Sequence, residues 1–226
     1  MEKTLLLFDI DGTLIRSGGC GERALRLAVR DTFNVDDDLR DIEIAGRTDT
    51  RIARQLLRKY GRDVNDEGIA EILENYLRHL PVLLAETEGQ LLPGVQALLA
   101  LLQLRSDVVL ALLTGNLERG AKHKLTRYGV WDYFPFGAYA DDHHERDHLG
   151  PFAITRARER GHEVSLARTF VIGDTEHDIA CARAVGAKAV AVATGSFSTE
   201  QLATHKPDFL LEDLGDIPAT LRALGL

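Results

Sequence analysis

Short apolar runs recur along the chain. Each one ends in polar residues and is followed by a segment with helical spacing. Runs that are apolar throughout are typical of strands buried on both faces of a parallel sheet. Alternation of such strands with helices predicts a doubly wound, mainly parallel α/β fold. The predicted strands cover residues 4–8, 108–113, 169–172, 189–193 and 208–211.

The interval between the first two strands is roughly a hundred residues, far longer than a crossover between parallel strands requires. Its apolar positions repeat with helical periodicity, as in helices with one buried face. We expect a helical domain inserted over residues 17–89, and an α/β core formed by residues 1–16 and 90–226. The apolar faces fall at Leu25, Ala28, Val29 and Phe33, at Ile52, Leu56 and Tyr60, and at Ile69, Ile72, Leu73, Tyr76, Leu77 and Leu80.

Capping residues mark where these helices begin and end. Thr48 or Thr50 can cap the second helix, and Gly61 can end it. Pro81 is expected to stop the third helix, because proline lacks the backbone N–H that continues a helix. Glycine-rich stretches at 17–19 and 88–94 are expected to be hinges.

The polar residues that follow the first four strands are expected to meet at one edge of the sheet. The carboxyl ends of parallel strands share an edge, where Rossmann-like folds bind ligands. Four distant segments therefore converge on one candidate site. They are residues 9–11, 114–116, 173–174 and 194–195.

Composition limits what the site can bind. The 226 residues are 45% hydrophobic and 27% charged, which is typical of a globular protein with a substantial core. The 35 acidic against 27 basic side chains give a net charge of −8, which disfavours nucleic acid as a partner. A small anionic substrate would need a metal ion or a local cationic pocket to offset this charge.

Cellular location is predicted from the cysteines and the N-terminus. The two cysteines, Cys20 and Cys181, are too few for a disulfide framework and indicate a reduced, cytoplasmic compartment. The first apolar run is cut short by Asp9 and Asp11, so neither a signal peptide nor a membrane partner is expected. We expect a monomer or a homodimer.

Asp9 and Asp11 follow the first strand two residues apart, so both side chains are expected on the same side of the chain. One carboxylate can act as a nucleophile, and the other as a general acid and then a base. An isolated Asp-Gly pair such as Asp11-Gly12 would more simply be a turn.

The second strand is followed by Thr114, Gly115 and Asn116, which offer a hydroxyl and backbone N–H groups ahead of a helix. Such a combination can hold phosphate oxygens. The simpler interpretation is that Asn116 only caps the helix that starts near Leu117.

Asp174 follows the third strand, and Asp178 lies four residues later, on the expected first turn of a helix. With Asp9 and the backbone at Asp11, these carboxylates form an oxygen-only ligand set suited to Mg²⁺. Alternatively, the acids could simply complement a helix dipole, which fits Asp178 better than Asp174.

Together these segments resemble the motifs of haloacid dehalogenase-like hydrolases, in the order of that family's first, second and fourth motifs. The similarity spans most of the chain, because the helical insertion occupies the place of the family's α-helical cap. The residues that carry it are 9–14, 114–116 and 173–178.

The resemblance implies a Mg²⁺-dependent phosphatase acting on a small phosphorylated metabolite. It implies that Asp9 forms an aspartyl-phosphate, while Asp11 protonates the leaving group and then activates water. It also implies that Asp9, the Asp11 carbonyl and Asp174 bind the metal, with Asp178 supporting it through water.

The third motif departs from the family pattern of a lysine followed by a proline. Residues 142–151 hold Arg146 as the one cation of fixed charge, and we predict that its guanidinium replaces the lysine. By spacing from the proline, His148 aligns with the lysine instead. Lys122 or Lys124 could also reach the site. Arg146 could otherwise be an exposed partner of a neighbouring acid, and the histidine-rich run a solvated loop rather than a transition-metal site.

Two further residues are predicted to face the substrate. Arg47 lies in a segment that resembles a loop of the cap and could bind a substrate carboxylate or a distal phosphate. An exposed arginine at a helix start is an equally good interpretation. Gly19 belongs to the expected hinge and could line the substrate site or serve only as a linker.

Two other functions remain open at this stage. A sugar-phosphate mutase resembling β-phosphoglucomutase would carry the same motifs. A receiver-like signalling module would also form an aspartyl-phosphate with Mg²⁺, but receivers are about half this length, lack the insertion and carry the aspartate on a later strand.

Overall fold

The computed structural model describes residues 2–226, which form a six-stranded parallel sheet, a two-stranded antiparallel ribbon and nine α-helices. The strands are β1 (Lys3–Phe8), β2 (Ile15–Arg16), β3 (Gln90–Leu91), β4 (Val108–Leu113), β5 (Gly137–Ala138), β6 (Val164–Gly173), β7 (Lys188–Val192) and β8 (Phe209–Leu211). In the six-stranded sheet they lie in the order β5-β4-β1-β6-β7-β8, and β2 pairs with β3.

Helices cover both faces of the sheet, and the first three form the insertion. They are α1 (Cys20–Phe33), α2 (Asp49–Lys59), α3 (Asp66–Glu86), α4 (Val95–Gln103), α5 (Glu118–Arg127), α6 (Leu149–Glu159), α7 (Glu176–Val185), α8 (Thr199–Thr204) and α9 (Ile217–Ala223). Short 3-10 helices occur at Trp131–Tyr133 and Arg146–His148. None of the helices within residues 2–226 combines the length and apolar character needed to cross a membrane.

The inner strand β1 shows why the apolar runs fold in this way. It pairs in parallel with β4 and with β6, and its successive side chains point to opposite faces. Leu6 and Phe8 pack with α4 and α5, while Leu5 and Leu7 pack with α6 and α7. The predicted α/β class is confirmed, and the five apolar runs coincide with β1, β4, β6, β7 and β8.

Two strands of the six-stranded sheet were poorly marked by the sequence pattern. The strand β6 begins at Val164, before the apolar run, and its first residues are partly or fully exposed. The strand β5 is the pair Gly137–Ala138, too short for a periodicity to appear. Both lie where the sheet is short or solvated, so burial leaves little trace in the residue types.

The inserted helices α1, α2 and α3 pack around an apolar cluster of their own. The chain enters the insertion after β2 and leaves it before β3. These two strands pair as an antiparallel ribbon, in which Ile15 pairs with Leu91. This arrangement supports a division of the chain near residues 16/17 and 89/90, although the domain boundaries themselves stay a prediction.

The prediction that Pro81 ends the third helix was wrong, because α3 continues through Pro81 to Glu86. A proline inside a helix removes one backbone hydrogen bond and costs about 3 kcal/mol. Leu83 and Leu84, which follow the proline, are 6% and 2% exposed. Their burial against the other inserted helices offsets that cost.

Of the two residues predicted as possible caps of α2, Thr48 is the one that caps the helix. Its hydroxyl accepts a hydrogen bond from the Arg51 N–H at 3.1 Å. Thr50 instead donates to the Ala140 carbonyl at 3.0 Å, which ties the start of α2 to the α/β core.

Candidate active site

The carboxyl ends of β1, β4, β6 and β7 meet at a cavity of about 520 Å³ between the sheet edge and the inserted helices. Residues from all four predicted segments line this cavity, as the alternation of strands and helices required. Among them are Asp9, Asp11, Gly115, Asn116, Asp174, Thr194 and Gly195.

Asp9 lies at the end of β1 and is 4% exposed. Its Oδ1 is 3.0 Å from Nη2 of Arg146. Burial raises the pKa of Asp9 to about 6, since desolvation and the carboxylates of Asp178 and Asp11 outweigh the opposing effects of Arg146 and the Thr114 hydroxyl. The carboxylate is therefore held at high energy, and cations near it are strongly favoured.

Asp174 follows β6, and its Oδ1 accepts a hydrogen bond from the Thr13 hydroxyl at 3.2 Å. Burial, followed by the charges of Asp9 and Asp178, raises the pKa of Asp174 to about 8. Glycines make room for this side chain. A Cβ at Gly12 would lie 2.3 Å from Asp174 Oδ2, and one at Gly195 would lie 1.7 Å from it.

Asp178 sits on the first turn of α7 in a capping box with Thr175. Its Oδ2 accepts hydrogen bonds from the Thr175 N–H at 3.1 Å and the Thr175 hydroxyl at 2.7 Å. Its Oδ1 accepts from Arg146. With both oxygens already engaged, Asp178 is better placed to support a metal site than to ligate directly.

The carboxylates of Asp9, Asp174 and Asp178 are all buried, and a possible ligand oxygen from each lies within 4.8 Å of the others. Arg146 is in contact with two of the three. One guanidinium cannot balance three buried carboxylates, and oxygen donors suit hard divalent cations. The donor set therefore fits a divalent metal ion such as Mg²⁺.

Arg146 begins a 3-10 helix, and its side chain is 5% exposed. Besides Asp9 and Asp178, it contacts the inserted segment, because Nη1 donates to the Gly46 carbonyl at 3.0 Å. His148 is exposed and packs edge-on against the ring of His143. Of the alternatives for the third motif, the structure brings Arg146 to Asp9 and leaves His148 in solvent.

A second cation reaches a different carboxylate. Lys124, on α5, is 3% exposed, and its Nζ donates to Asp11 Oδ2 at 2.5 Å. Asn116 also donates to that oxygen, at 2.9 Å. Burial disfavours the Lys124 ammonium, but the charge of Asp11, with Tyr76 and Asp49, raises the pKa of Lys124 above its ordinary value.

Thr114 and Asn116 follow β4 directly. The Asn116 N–H and Nδ2 both donate to the Thr114 hydroxyl, at 3.3 and 2.9 Å. The interpretation of Asn116 as a helix cap was wrong, since Leu117 is the cap residue of α5 and the N–H of Glu118, the first residue of the helix, donates to Asp141 Oδ2 at 2.7 Å. The Leu117 N–H donates instead to Oδ2 of Asp49 on α2, at 2.8 Å.

Gly115 lies where the inserted segment meets the sheet edge. Its carbonyl accepts from the Asp49 N–H at 2.7 Å, and a Cβ added to it would lie 2.2 Å from the Arg47 carbonyl oxygen. Arg47 lines the cavity and pairs with Glu43 at 2.6 Å. Gly19, in a left-handed conformation, is the cap residue of α1 and also lines the cavity.

Some residues of the site had no individual role predicted from the sequence. Asp49 and Tyr76 lie on the inserted helices and line the cavity, and burial raises the pKa of Asp49 to about 6. Thr194 lies after β7 and donates to the Gly12 carbonyl at 2.5 Å. A polar residue directly after a predicted strand was the available signal for Thr194. Asp49 ends the segment that resembles a loop of the cap, whereas Tyr76 was expected only on an apolar helix face.

Comparisons with known proteins agree with this geometry. Residues 6–183 match the family model described as haloacid dehalogenase-like hydrolase. A protein of Dickeya dadantii named probable phosphatase IndB is 29% identical over 98% of this chain and 95% of its own length. A phosphoglycolate phosphatase of Yersinia pseudotuberculosis is 28% identical over 97% of this chain and 92% of its own.

Solved structures share the fold. The structure of CbbY from Rhodobacter sphaeroides in complex with phosphate has a TM-score of 0.77 and 21% identity, covering 99% of this chain and all of its own. A hydrolase of Pseudomonas syringae has a TM-score of 0.74 and 22% identity over 97% and 98% of the two chains. The chain thus belongs to the haloacid dehalogenase-like hydrolases, which confirms the predicted family and enzyme class.

Proposed function

We propose that this protein is a Mg²⁺-dependent phosphatase that hydrolyses a small-molecule phosphomonoester through an aspartyl-phosphate on Asp9. The observation that carries the proposal is the placement of Asp9 and Asp11 at one cavity, each paired with a different buried cation. The proposal is supported by relatives that are named phosphatases and that match nearly the whole chain.

The metal would be held by Asp9, the Asp11 carbonyl and Asp174, with Asp178 acting indirectly. When bound, Mg²⁺ would neutralise part of the charge that opposes the approach of a phosphate dianion. Gly12 and Gly195 leave the space around Asp174 that such a ligand set needs.

In the first step, an oxygen of Asp9 attacks phosphorus, and the bond from phosphorus to the leaving oxygen breaks. Asp11 gives its proton to that oxygen, so an alcohol departs and Asp9 carries the phosphoryl group. In the second step, Asp11 removes a proton from water, whose oxygen attacks phosphorus and displaces Asp9. The products are inorganic phosphate and the original carboxylate, with Asp11 protonated again.

Arg146 and the residues after β4 would bind the phosphoryl group. The guanidinium next to Asp9 can pair with phosphate oxygens, and it offsets the charge that builds during attack. The Thr114 hydroxyl and the backbone of Gly115 and Asn116 would donate to the remaining oxygens.

The leaving group would occupy the cavity beneath the inserted helices, where Gly19 and Arg47 line the wall. Arg47 could bind a carboxylate or a distal phosphate, although its pairing with Glu43 would have to open or be shared. Phosphoglycolate, the substrate named for several relatives, is one candidate.

Other expectations stay predictions. A cytoplasmic location is expected from the cysteines and the N-terminus, and the lack of a nucleic-acid partner from the net charge of −8. A monomeric or homodimeric state is a separate expectation. The receiver-like alternative is set aside, because the family match covers the α/β core together with the insertion.

A panel of phosphorylated metabolites tests the proposal. Purified protein with Mg²⁺ should release stoichiometric inorganic phosphate from at least one small phosphomonoester. Isomerisation of a sugar phosphate with little phosphate release would instead identify a mutase. Absence of both reactions across sugar, glycolate and nucleoside phosphates would contradict the proposal.

A further inference from the structure

Lys124 is the second buried cation of the site, and it contacts Asp11 where Arg146 contacts Asp9. It lies in the last turn of α5 and is 3% exposed. A lysine is almost never fully buried unless its charge is paired. Here the ammonium lies 2.5 Å from Asp11 Oδ2 and 2.6 Å from Asn116 Oδ1, so two of its three donors are fixed by site residues.

These contacts close a ring of hydrogen bonds. Asn116 accepts from Lys124 through Oδ1 and donates through Nδ2 to Asp11 Oδ2 at 2.9 Å. The same Nδ2 donates to the Thr114 hydroxyl at 2.9 Å. Because an ammonium can only donate, Lys124 fixes which end of the Asn116 amide faces Asp11.

Asp11 needs such support, because its side chain is 41% exposed whereas that of Asp9 is 6% exposed. Packing alone would leave an exposed carboxylate free to change rotamer. Both donors bind Oδ2, which leaves the other oxygen available for proton transfer. Proton transfer requires a carboxylate within hydrogen-bond reach of the reacting oxygen.

Lys124 does not duplicate Arg146. The guanidinium pairs with Asp9 and Asp178 on the metal side, while the ammonium pairs with Asp11 on the side of the inserted helices. A Cβ at Gly21 of α1 would lie 3.5 Å from Lys124 Nζ, so the inserted helices cover the ammonium closely.

We propose that Lys124 is a positioning residue that, through Asn116 and a direct contact, holds the Asp11 carboxylate in the orientation needed for proton transfer. This inference rests on the proposed phosphatase mechanism. If Lys124 only stabilised the fold, its replacement would not selectively slow the step that uses Asp11 as a base.

The test compares Lys124→Met, which keeps the length of the side chain, with Lys122→Met, an exposed lysine on the same helix. The probe is p-nitrophenyl phosphate, whose leaving group departs without a proton, so only hydrolysis of the aspartyl-phosphate needs Asp11. Lys124→Met should lower kcat by about 100-fold, the typical cost of a misplaced catalytic group, with KM changed by less than about threefold.

The time course separates positioning from other roles. With Lys124→Met we expect a burst of one p-nitrophenol per protein followed by slow turnover, whereas the wild type and Lys122→Met give linear release. A raised KM with unchanged kcat would make Lys124 a substrate-binding group and overturn the proposal. Unchanged kinetics, or a fall in kcat without a burst, would also overturn it.

A structural measurement keeps the proposal separate from the proposed function. A crystal structure of Lys124→Met should show the Asp11 carboxylate in a different rotamer, away from Asn116, and an unchanged position would overturn the proposal even if the wild type hydrolyses no phosphomonoester. Failure of the wild type on every substrate would contradict the phosphatase mechanism alone. If Lys124→Met does not fold, the same kinetic and structural measurements are made on Lys124→Gln, with the same expected results.

Discussion

Nη2 of Arg146 lies 3.0 Å from Oδ1 of Asp9, although the two residues are 137 positions apart in the sequence. Both side chains are at most 6% exposed. Arg146 also binds Asp178, and through Nη1 the Gly46 carbonyl of the inserted segment. One guanidinium thus connects the candidate nucleophile, the metal-side carboxylates and the insertion. Burial disfavours the cation, but Asp178 and Asp9 raise the pKa of Arg146 above its ordinary value, which keeps it charged.

Replacing Arg146 should therefore affect both activity and stability. Arg146→Ala leaves buried carboxylates without a partner, which typically costs about 3–5 kcal/mol of unfolding free energy. It should lower kcat/KM by about 100-fold or more, as expected for loss of a group that stabilises transition-state charge. The measurements are steady-state kinetics and urea unfolding.

His148→Ala is the matched control, because His148 is two residues away and exposed. It should change kcat/KM by less than about twofold and leave the fold as stable as the wild type. A larger loss in His148→Ala than in Arg146→Ala would show that the third motif is centred on the histidine.

Asp9→Asn should abolish turnover, because an amide cannot form the acyl-phosphate. The change removes a buried carboxylate. Because desolvation raises the pKa of Asp9 to about 6, its charge destabilises the folded protein at pH 7, and the variant should be at least as stable as the wild type. Phosphate release and circular dichroism check the two parts. Turnover above about 1% of the wild type, with deamidation excluded by mass spectrometry, would contradict the role of Asp9 as nucleophile.

The sequence predicted the site well where chemistry lies at strand ends. Asp9, Thr114, Asp174 and Thr194 each follow an apolar run, and parallel pairing then brings them together. At the third motif, fixed charge favoured Arg146 and spacing from the proline favoured His148. The structure brings Arg146, at the start of a 3-10 helix, to Asp9.

Other features depended on tertiary packing and left a weak local signal or none. The contact of Lys124 with Asp11 requires α5 to pack under the inserted helices, and its residue type equally fits an exposed helix face. The passage of α3 through Pro81 depends on burial of the leucines beyond it. In both cases the energy of long-range burial exceeds a local preference.

A metal ion should stabilise the protein as well as support turnover. Burial, followed by repulsion from Asp9 and Asp178, raises the pKa of Asp174 to about 8. A cation bound to Asp9 and Asp174 would relieve that repulsion. We expect EDTA to abolish phosphate release and Mg²⁺ to restore it. At a concentration 100 times the Kd, Mg²⁺ should add about 2.7 kcal/mol to the free energy of unfolding.

Asp174→Asn is the variant that locates this effect. It removes a proposed metal ligand and should eliminate most of the Mg²⁺-induced rise in Tm. Replacing an exposed acid that does not line the cavity, Glu200→Gln, should leave that rise intact. An equal Mg²⁺ response in both variants would place the metal elsewhere.

Gly115→Ala should weaken the seating of the inserted segment on the sheet edge. The added Cβ would lie 2.2 Å from the Arg47 carbonyl oxygen and 3.2 Å from the Thr48 Cα, so backbone on one side must shift. We expect kcat/KM to fall by about 100-fold, since a displacement of about 1 Å at a reacting centre can cost that much. Kinetics on the best substrate of the panel measure this.

Gly120→Ala provides the control within α5, where an added Cβ makes ordinary contacts at 3.6 Å or more. Alanine is the better helix former, so this variant should be more stable by about 0.5–1 kcal/mol and keep its activity. Full activity in Gly115→Ala would show that the close approach to Arg47 is not needed for turnover.

Acid should weaken the insertion through Asp37. Its Oδ2 accepts from Lys59 Nζ at 2.6 Å and from the Tyr60 hydroxyl at 2.5 Å, and its Oδ1 accepts from the Leu39 N–H at 2.8 Å. The hydrogen bond from Lys59, followed by those from Tyr60 and Leu39, holds the pKa of Asp37 well below its ordinary value of 3.8. The carboxylate therefore stabilises the folded chain above pH 3.8, and this contribution is lost as the pH falls further.

Asp37→Asn should accordingly lower Tm at pH 7, by about 2–4 °C for each kcal/mol lost. The difference from the wild type should shrink as the pH falls below 3.8, because the wild-type carboxylate is then increasingly protonated. Asp38→Asn is the control, since its side chain is 52% exposed and pairs with the exposed Arg40, a contact of small energetic value. A difference between Asp37→Asn and wild type that stays constant from pH 7 to the lowest pH at which both fold would show that packing, not charge, gives Asp37 its effect.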